Sequence, residues 1–265
     1  MVFGFLRPKS RSKPEAPSAG GRVVYGVGDI HGRLDLLDQL LDTVAADFAA
    51  LGRQDRPVIV FVGDYVDRGP DSAGVIDRIA ALKAAAGGSS GFEVRALMGN
   101  HEQTLLQFLD TPEGGPVWAE FGGGETLASY GVARPVGRDP EAWRAVQEQF
   151  QRNLPLRHLN FLRQLELTAV YGDYLFVHAG VRPGRSLAEQ DPQDLLWIRG
   201  DFLHQPHGLG CVVVHGHTPD EEPFLGRDRI NVDTGAYATG VLTAVRVGEG
   251  APTMLQARKR RSVPA

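Results

Sequence analysis

The chain has 265 residues, of which 23% are charged and 42% are hydrophobic, and its formal net charge is -4. This length can bury one sizeable core, and nothing in the composition indicates a second domain. The slightly acidic balance gives no electrostatic footprint for nucleic acid, so we expect no nucleic-acid partner. The sequence shows no apolar stretch of membrane-spanning length and no signal-peptide pattern. The single cysteine, Cys211, excludes an internal disulfide framework and favours a cytoplasmic location.

Residues 1–21 mix proline, serine, glycine and basic side chains with little periodicity, which predicts a flexible arm. The cluster Val2-Phe3-Gly4-Phe5-Leu6 would suit contact with a membrane surface or a partner, but it is too short to be a stable membrane anchor. We favour a disordered leader. A single folded domain is expected over residues 22–258, followed by a solvated basic tail over residues 259–265.

The first half of the domain alternates between apolar runs and helical patterns. After a first run, apolar residues at helical spacing over residues 34–48 predict an amphipathic helix. A second run starts at Val58 and precedes a helix from about Ser72, and a third run starts at Phe92. This order is typical of an α/β sheet with right-handed crossovers.

The second half has a different pattern. Residues 102–163 predict short helical pieces without a strong strand, which we interpret as a helical insertion that walls the site. Strands are predicted again at residues 174–177, 211–214, 229–232 and 240–247.

Five of the apolar runs end in Asp, Asn or His beside glycine. The central run, from Val58 to Pro70, places Asp64, Asp67 and Arg68 at the carboxyl end of an interior strand, where α/β proteins bind ligands. Taken alone, Asp64 has about even odds of being an ordinary helix N-cap. Because the construction recurs, we expect a functional site instead. The other runs end at Gly28-Asp-Ile-His-Gly32, Gly99-Asn-His-Glu102, His178-Ala-Gly180 and His215-Gly-His-Thr-Pro219.

The polar residues at these strand ends offer carboxylate, imidazole and amide ligands, which suit divalent cations. A lone histidine at a strand end is usually a hydrogen-bonded core or loop residue, but several beside Asp and Asn reverse that expectation. Seven candidates are too many for one ion, so we predict two ions about 3.5 to 4 Å apart, with Asp64 as the bridge. The candidates are Asp29, His31, Asp64, Asn100, His178, His215 and His217.

Together these blocks resemble the signature motifs of the phosphoprotein phosphatase (PPP) family, within the calcineurin-like metallophosphoesterases. The resemblance spans residues 22–247 and implies a four-layer α/β/β/α sandwich with two mixed sheets, a helical insertion and a dinuclear site between the sheets. The segments around Trp118, residues 123–130, Trp197 and residues 231–237 look like the bacterial branch. No eukaryotic-type regulatory subunit is therefore implied.

The resemblance also implies the metal ligands. Asp29, His31 and Asp64 would hold the first ion, and Asp64, Asn100, His178 and His217 would hold the second. His215 matches no ligand position and is interpreted as a supporting or structural residue. The ions in such proteins are Mn²⁺ or an Fe/Zn pair, and these ligand types do not separate the two.

A hydroxide bridging the two ions would then attack phosphorus directly. His101 would protonate the leaving oxygen, and Asp67 would fix its tautomer and keep it cationic. Arg68 would bind phosphoryl oxygens, as would Arg199 in a Trp-x-Arg segment that resembles the phosphate-binding one of the family. For both arginines a plain surface role stays open, and Trp197 is interpreted as a core residue.

The sequence favours a serine/threonine protein phosphatase, whose partner would be a phosphoprotein. The alternative is hydrolysis of dinucleoside polyphosphates at the same site, and a catalytically silent binding module is disfavoured because no ligand or acid position is lost. Dinucleoside polyphosphate hydrolases of this family typically lack a carboxylate at the position of Asp67 and have Asp at that of Glu102. A serine alkoxide is a poor leaving group, so it needs a supported acid more than a nucleotide phosphate does.

Overall fold

The computed structural model describes residues 16–86 and 91–259, which form two mixed sheets and the helices that cover them. The strands are β1 (Val24–Val27), β2 (Val58–Phe61), β3 (Glu93–Ala96), β4 (Thr168–Tyr171), β5 (Tyr174–Val177), β6 (Val212–His215), β7 (Phe224–Leu225), β8 (Arg229–Asn231), β9 (Val241–Val247) and β10 (Thr253–Arg258). The α-helices are α1 (Leu34–Ala50), α2 (Ser72–Ala85), α3 (Asn100–Asp110), α4 (Gly115–Trp118), α5 (Gly124–Ser129), α6 (Pro140–Asn153), α7 (Leu156–Arg163), α8 (Pro192–Trp197), α9 (Gly200–His204) and α10 (Ala236–Thr239).

Each sheet has a parallel centre and antiparallel edges. The first sheet has the order β10-β9-β1-β2-β3, in which β1, β2 and β3 are parallel and the β9 and β10 pairings are antiparallel. The second has the order β4-β5-β6-β8-β7, in which β5, β6 and β8 are parallel. Because parallel strands end at a common edge, the residues that follow β1, β2 and β5 come together between the sheets.

The four layers follow from strands that are apolar on both faces. In β2, Val58 and Val60 pack between the sheets, in the same core as Phe176 and Val214 of the second sheet. Phe61 points the other way and joins the apolar stripes of α1 and α2. A smaller core outside the second sheet includes residues of α8 and α9. The predicted α/β/β/α sandwich is confirmed.

Three strands were not predicted, and each lies at an edge of its sheet. β4 mixes buried, half-buried and exposed residues, β10 is mostly half-buried, and both residues of β7 are exposed. Edge strands lack the continuous apolar run that marks an interior strand. The helical insertion is observed from α3 to α7, and it contains a kink within Ala119–Gly123, where Gly122 has a φ of 107°, which was not predicted from the sequence.

The predicted arm and tail fall mostly on residues 1–15 and 260–265, outside the described residues. Residues 16–21 are described, and Ala19 among them is only 1% exposed. Ser18 donates its backbone N–H to Oδ2 of Asp173 at 2.9 Å. Residues 16–21 thus pack against the turn between β4 and β5 and are not part of a flexible arm. In the part of the chain that the structure describes, no helix is long and apolar enough to cross a membrane.

Candidate active site

The turns that follow the parallel strands have an unusual backbone. Positive φ is uncommon outside glycine, since the left-handed conformation crowds the side chain. Such residues carry a strain of about 1–3 kcal/mol each and cluster at functional sites. In the described ranges, the non-glycine residues with positive φ are His31 (46°), Asp64 (52°), Asp67 (71°), Arg68 (67°) and His217 (65°). All five are residues that the sequence analysis assigned to the site.

Glu102 holds the strained turn that follows β2. Its fully buried carboxylate accepts backbone N–H groups from Asp64, Tyr65 and Val66 at 2.7 to 3.2 Å, and from Gly99 at 2.9 Å. Burial raises the pKa of Glu102 to about 8, but both oxygens face N–H donors, which favours the ionised form in the fold. Glu102 was given no structural role from the sequence, although it lies three residues after Gly99, where an acidic side chain can accept the backbone N–H of the N-cap residue.

Asp64 lies between two histidines whose tautomers are set by backbone carbonyls. Its Oδ2 is 3.5 Å from Nε2 of His31, and its Oδ1 is 3.4 Å from Nε2 of His178. Nδ1 of His31 lies 2.7 Å from the oxygen of Val66, and Nδ1 of His178 lies 3.0 Å from that of Val62. Each Nδ1 therefore carries the proton, so each neutral ring turns its Nε2 lone pair towards Asp64. This is the arrangement of a histidine that ligates a metal through Nε2.

Burial also favours neutral histidines around Asp64. It lowers the pKa of His31 to about 3 and that of His217 to about 2, although the charge of Asp64 acts in the opposite direction. Burial raises the pKa of Asp64, but positive charge on any of the surrounding histidines lowers it more, so the net shift is downward. An ionised Asp64 among neutral imidazoles is a typical donor set for a divalent cation.

Asn100 shows the same pattern on the other side. Its Oδ1 lies 2.9 Å from Nε2 of His178 and 2.8 Å from Nδ1 of His217. Nε2 of His178 has no proton, so this atom and Oδ1 of Asn100 are both acceptors and repel each other. A cation bound by both atoms would remove this repulsion. Among the described residues, the buried side-chain atoms without a hydrogen-bond partner are Oδ1 of Asp29 and Nε2 of His217. Both belong to predicted ligands, so the residues fit two divalent ions.

Asp233 is a buried carboxylate that the sequence analysis did not assign. Burial raises the pKa of Asp29, and the charges of Asp233 and Asp64 raise it further. Burial likewise raises the pKa of Asp233 to about 6. Neighbouring buried carboxylates disfavour each other's ionised form unless a cation is near. In the sequence, Asp233 lies in the segment at residues 231–237, whose resemblance to the bacterial branch is the signal for it.

His101 lies beside the predicted ligands, but its ring is hydrogen-bonded to Asp67. Its Nδ1 is 2.6 Å from Oδ2 of Asp67, and its Nε2 is 3.9 Å from Oδ2 of Asp64. Burial lowers the pKa of His101, but the two carboxylates raise it more, so the net shift is upward. The distances also allow His101, His31 and Asp64 to share one ion. The bond to Asp67 favours the role of a proton donor.

Asp67 is fixed by the helical insertion. Oδ2 accepts a hydrogen bond from Nε1 of Trp118 at 2.9 Å, and Oδ1 accepts one from Oγ1 of Thr126 at 2.6 Å. The backbone N–H of Asp67 donates to Oγ1 of Thr126 and Oγ of Ser72. The insertion therefore positions the His101–Asp67 pair.

The two predicted phosphate-binding arginines have different settings. Arg68 is half-buried, and its Nη1 and Nη2 lie 3.2 Å and 3.1 Å from Nε2 of His31 and of His101. Its backbone N–H donates to the oxygen of Gly122, at the kink of the insertion, at 3.0 Å. Arg199 is exposed, with Nη1 3.4 Å from Oγ1 of Thr218.

Both arginines line a cavity of about 610 Å³, and Asn100 and His101 also lie in its wall. We call it the aromatic cavity. Two rings in its wall are exposed to solvent, Phe121 by 62% and Trp197 by 43%. The interpretation of Trp197 as a core residue is therefore wrong. Its indole Nε1 donates to Oε1 of Gln103, so the ring lies in the wall of the cavity.

His215 lies outside this arrangement. It is fully buried, its ring centroid is 5.0 Å from that of Phe202, and burial lowers its pKa to about 3. These contacts fit the interpretation of His215 as a structural residue.

The family model of the calcineurin-like phosphoesterases matches residues 23–242. The chain belongs to this family. The curated relatives include the asymmetrical bis(5'-nucleosyl)-tetraphosphatase PrpE of Oceanobacillus iheyensis, which is 28% identical and matches over 84% of this chain and 88% of the relative. The symmetrical bis(5'-nucleosyl)-tetraphosphatase of an Acidovorax species is 33% identical over 81% of this chain and 64% of the relative.

This calcineurin-like phosphoesterase also has solved structural neighbours. One is a serine/threonine phosphatase from Saccharomyces cerevisiae, with a TM-score of 0.54 and 16% identity, covering 92% of this chain and 82% of that chain. At this identity the likeness concerns the fold alone.

Proposed function

We propose that this phosphoesterase hydrolyses bis(5'-nucleosyl) tetraphosphates, which the sequence analysis held as the alternative. The observation that carries the proposal is the aromatic cavity beside the ligand cluster, with Phe121, Trp197 and two arginines in its wall. Aromatic rings stack on nucleobases, and arginines bind phosphate oxygens in a fork geometry. The names of the curated relatives point the same way.

Six side chains would hold two divalent cations, namely Asp29, His31, Asp64, Asn100, His178 and His217. Bound cations would supply Lewis acidity that activates water near neutral pH and balances charge on the phosphoryl oxygens. The donor set suits Mn²⁺ and suits an Fe/Zn pair equally well.

The protein's own residues would complete the reaction. Arg68 and Arg199 would orient the polyphosphate so that one phosphorus faces the attacking water. As the new P–O bond forms and the bridging P–O bond breaks, His101 would give its Nε2 proton to the leaving phosphate oxygen. Asp67, held by Trp118 and Thr126, would keep Nδ1 protonated and the ring in place.

A second candidate is the phosphomonoesterase activity on phosphoserine or phosphothreonine in proteins that the sequence analysis preferred. The observation in its favour is the 2.6 Å contact between His101 and Asp67. A serine alkoxide needs a proton donor more than a leaving phosphate does, so a supported acid is most useful for that substrate.

The test is a direct comparison of kcat/KM on diadenosine tetraphosphate and on a phosphoserine peptide, with the manganese-loaded protein. We expect the higher value on the dinucleotide. The variant Phe121→Ala should raise KM for the dinucleotide, and Val136→Ala, which changes a 99% exposed side chain of the same insertion, is the matched control. A higher kcat/KM on the peptide, with no effect of Phe121→Ala on the dinucleotide, would contradict the proposal.

A further inference from the structure

A second cavity, also of about 610 Å³, opens on the other side of Arg68. We call it the Tyr237 cavity, and its wall includes Asp35, Asp71, Tyr237 and Lys259. Arg68 is the residue that this cavity shares with the aromatic cavity. The two cavities therefore meet at a guanidinium group that lies against two histidines of the cluster.

Tyr237 connects the second cavity to the cluster. The Cζ atom of Arg68 is 4.7 Å from the centre of the Tyr237 ring, and the His31 ring meets it edge-on at 5.3 Å. The side chain is nevertheless 39% exposed. A ring held in place by an arginine, with part of its surface open to a cavity, is a platform for another aromatic group.

The carboxylates around the Tyr237 cavity suit the hydroxyl groups of a nucleoside. Asp35, Asp38 and Asp71 belong to its wall, where Arg78 pairs with Oδ1 of Asp38 and Oδ1 of Asp71 accepts the backbone N–H of Gly74. Carboxylates accept hydrogen bonds from ribose hydroxyls, as in dinucleotide-binding folds. The cationic groups in the wall are Arg33, Arg68 and Lys259, and Arg33 is paired with Asp35 at 2.7 Å.

We infer that the Tyr237 cavity binds the second nucleoside of the substrate, with its base against the Tyr237 ring. The first nucleoside occupies the aromatic cavity, and the polyphosphate crosses Arg68 between them. A substrate with one aromatic end needs one cavity, whereas two cavities that meet at one arginine match a molecule with two nucleosides. This inference rests on the proposed function, and it adds Tyr237 as a residue that determines specificity.

The experiment compares Tyr237→Ala and Tyr237→Phe with the parent protein in the manganese-loaded form. The substrates are diadenosine tetraphosphate, p-nitrophenyl phosphate and a phosphoserine peptide. The matched control is Phe224→Ala, because Phe224 is 43% exposed, has Arg229 stacked at 4.0 Å and lines neither cavity.

For Tyr237→Ala we expect KM for the dinucleotide to rise roughly 5-fold to 100-fold, the range of one lost base–aromatic stack. The rise should be much smaller for p-nitrophenyl phosphate and for the peptide. Tyr237→Phe keeps the ring and should resemble the parent, as should Phe224→Ala.

Four results would overturn the inference. Equal rises in KM for the dinucleotide and for p-nitrophenyl phosphate would mean that Tyr237 acts only through Arg68. An equal rise in KM for the phosphoserine peptide would mean that the Tyr237 cavity binds a polypeptide. Normal turnover of the dinucleotide by Tyr237→Ala would contradict the second nucleoside site alone, whereas a parent protein without turnover of the dinucleotide would contradict the proposed function as well.

Discussion

The indole of Trp118 donates a hydrogen bond to Oδ2 of Asp67 at 2.9 Å, the same oxygen that lies 2.6 Å from Nδ1 of His101. Trp118, a side chain of the helical insertion, thus holds Asp67, and Asp67 orients the proposed proton donor His101. All three side chains are buried, so water cannot replace a lost bond cheaply.

We expect Trp118→Phe to lower the free energy of unfolding by about 1.5–3 kcal/mol, since it removes a hydrogen bond to a buried carboxylate. It should also slow turnover more on a phosphoserine peptide than on p-nitrophenyl phosphate. Urea denaturation and kcat measurements check both effects. The control is Trp143→Phe, because the Trp143 indole donates to the backbone oxygen of Gly137 instead. Equal kcat losses in the two variants would speak against a positioning role.

His101→Asn should retain the metals and lose rate by roughly 10²-fold to 10⁴-fold, the contribution of a general acid. The loss should shrink as the leaving group improves, because a good leaving group needs little protonation. A series of aryl phosphates with different leaving-group pKa values measures this dependence. A loss that stays constant across the series would exclude proton donation by His101.

Arg68→Ala and Arg199→Ala should each weaken inhibition by inorganic phosphate by roughly 10-fold to 100-fold, the effect of one charge-assisted hydrogen bond. Metal content should stay that of the parent, since neither arginine is a ligand. Arg138→Ala is the control, because Arg138 is an exposed arginine of the insertion paired with Glu120. Unchanged inhibition constants in both variants would show that neither arginine binds phosphate.

Glu102→Gln should lower the free energy of unfolding by about 1–3 kcal/mol, the cost of leaving a buried polar group unsatisfied. The reason is geometric, since the amide NH₂ of glutamine would face backbone N–H donors of the turn that follows β2. Urea denaturation measures the change, and Glu113→Gln at an exposed position is the control. Equal stability of the two variants would mean that Glu102 does not hold the turn.

Much of the fold and of the site could be predicted from sequence. Interior strands such as β2 are marked by apolar residues on both faces, and the glycines beside Asp64 and Asn100 mark the turns that carry ligands. The edge strands β4, β7 and β10 have no such mark. Both residues of β7 are exposed, and β10 is mostly half-buried.

Other features depend on contacts between distant parts of the chain. Trp118 and Asp67 are 51 positions apart, and no periodicity links the insertion to β2. Glu102 belongs to a motif that the sequence displays, but its partners are backbone groups that only the folded turn brings together. Large apolar residues are usually buried, which favours a core position for Trp197, and that preference does not reveal an exposed ring in a cavity wall.

The central claim is that Asp64 would be shared by two ions, held by side chains that follow strands of both sheets. The most direct test is metal analysis of the purified parent and of Asp64→Asn after loading with excess manganese and desalting, with folding checked by circular dichroism. We predict two ions per chain in the parent and the loss of both together in a folded Asp64→Asn. Two ions at full occupancy in the variant would contradict the bridge.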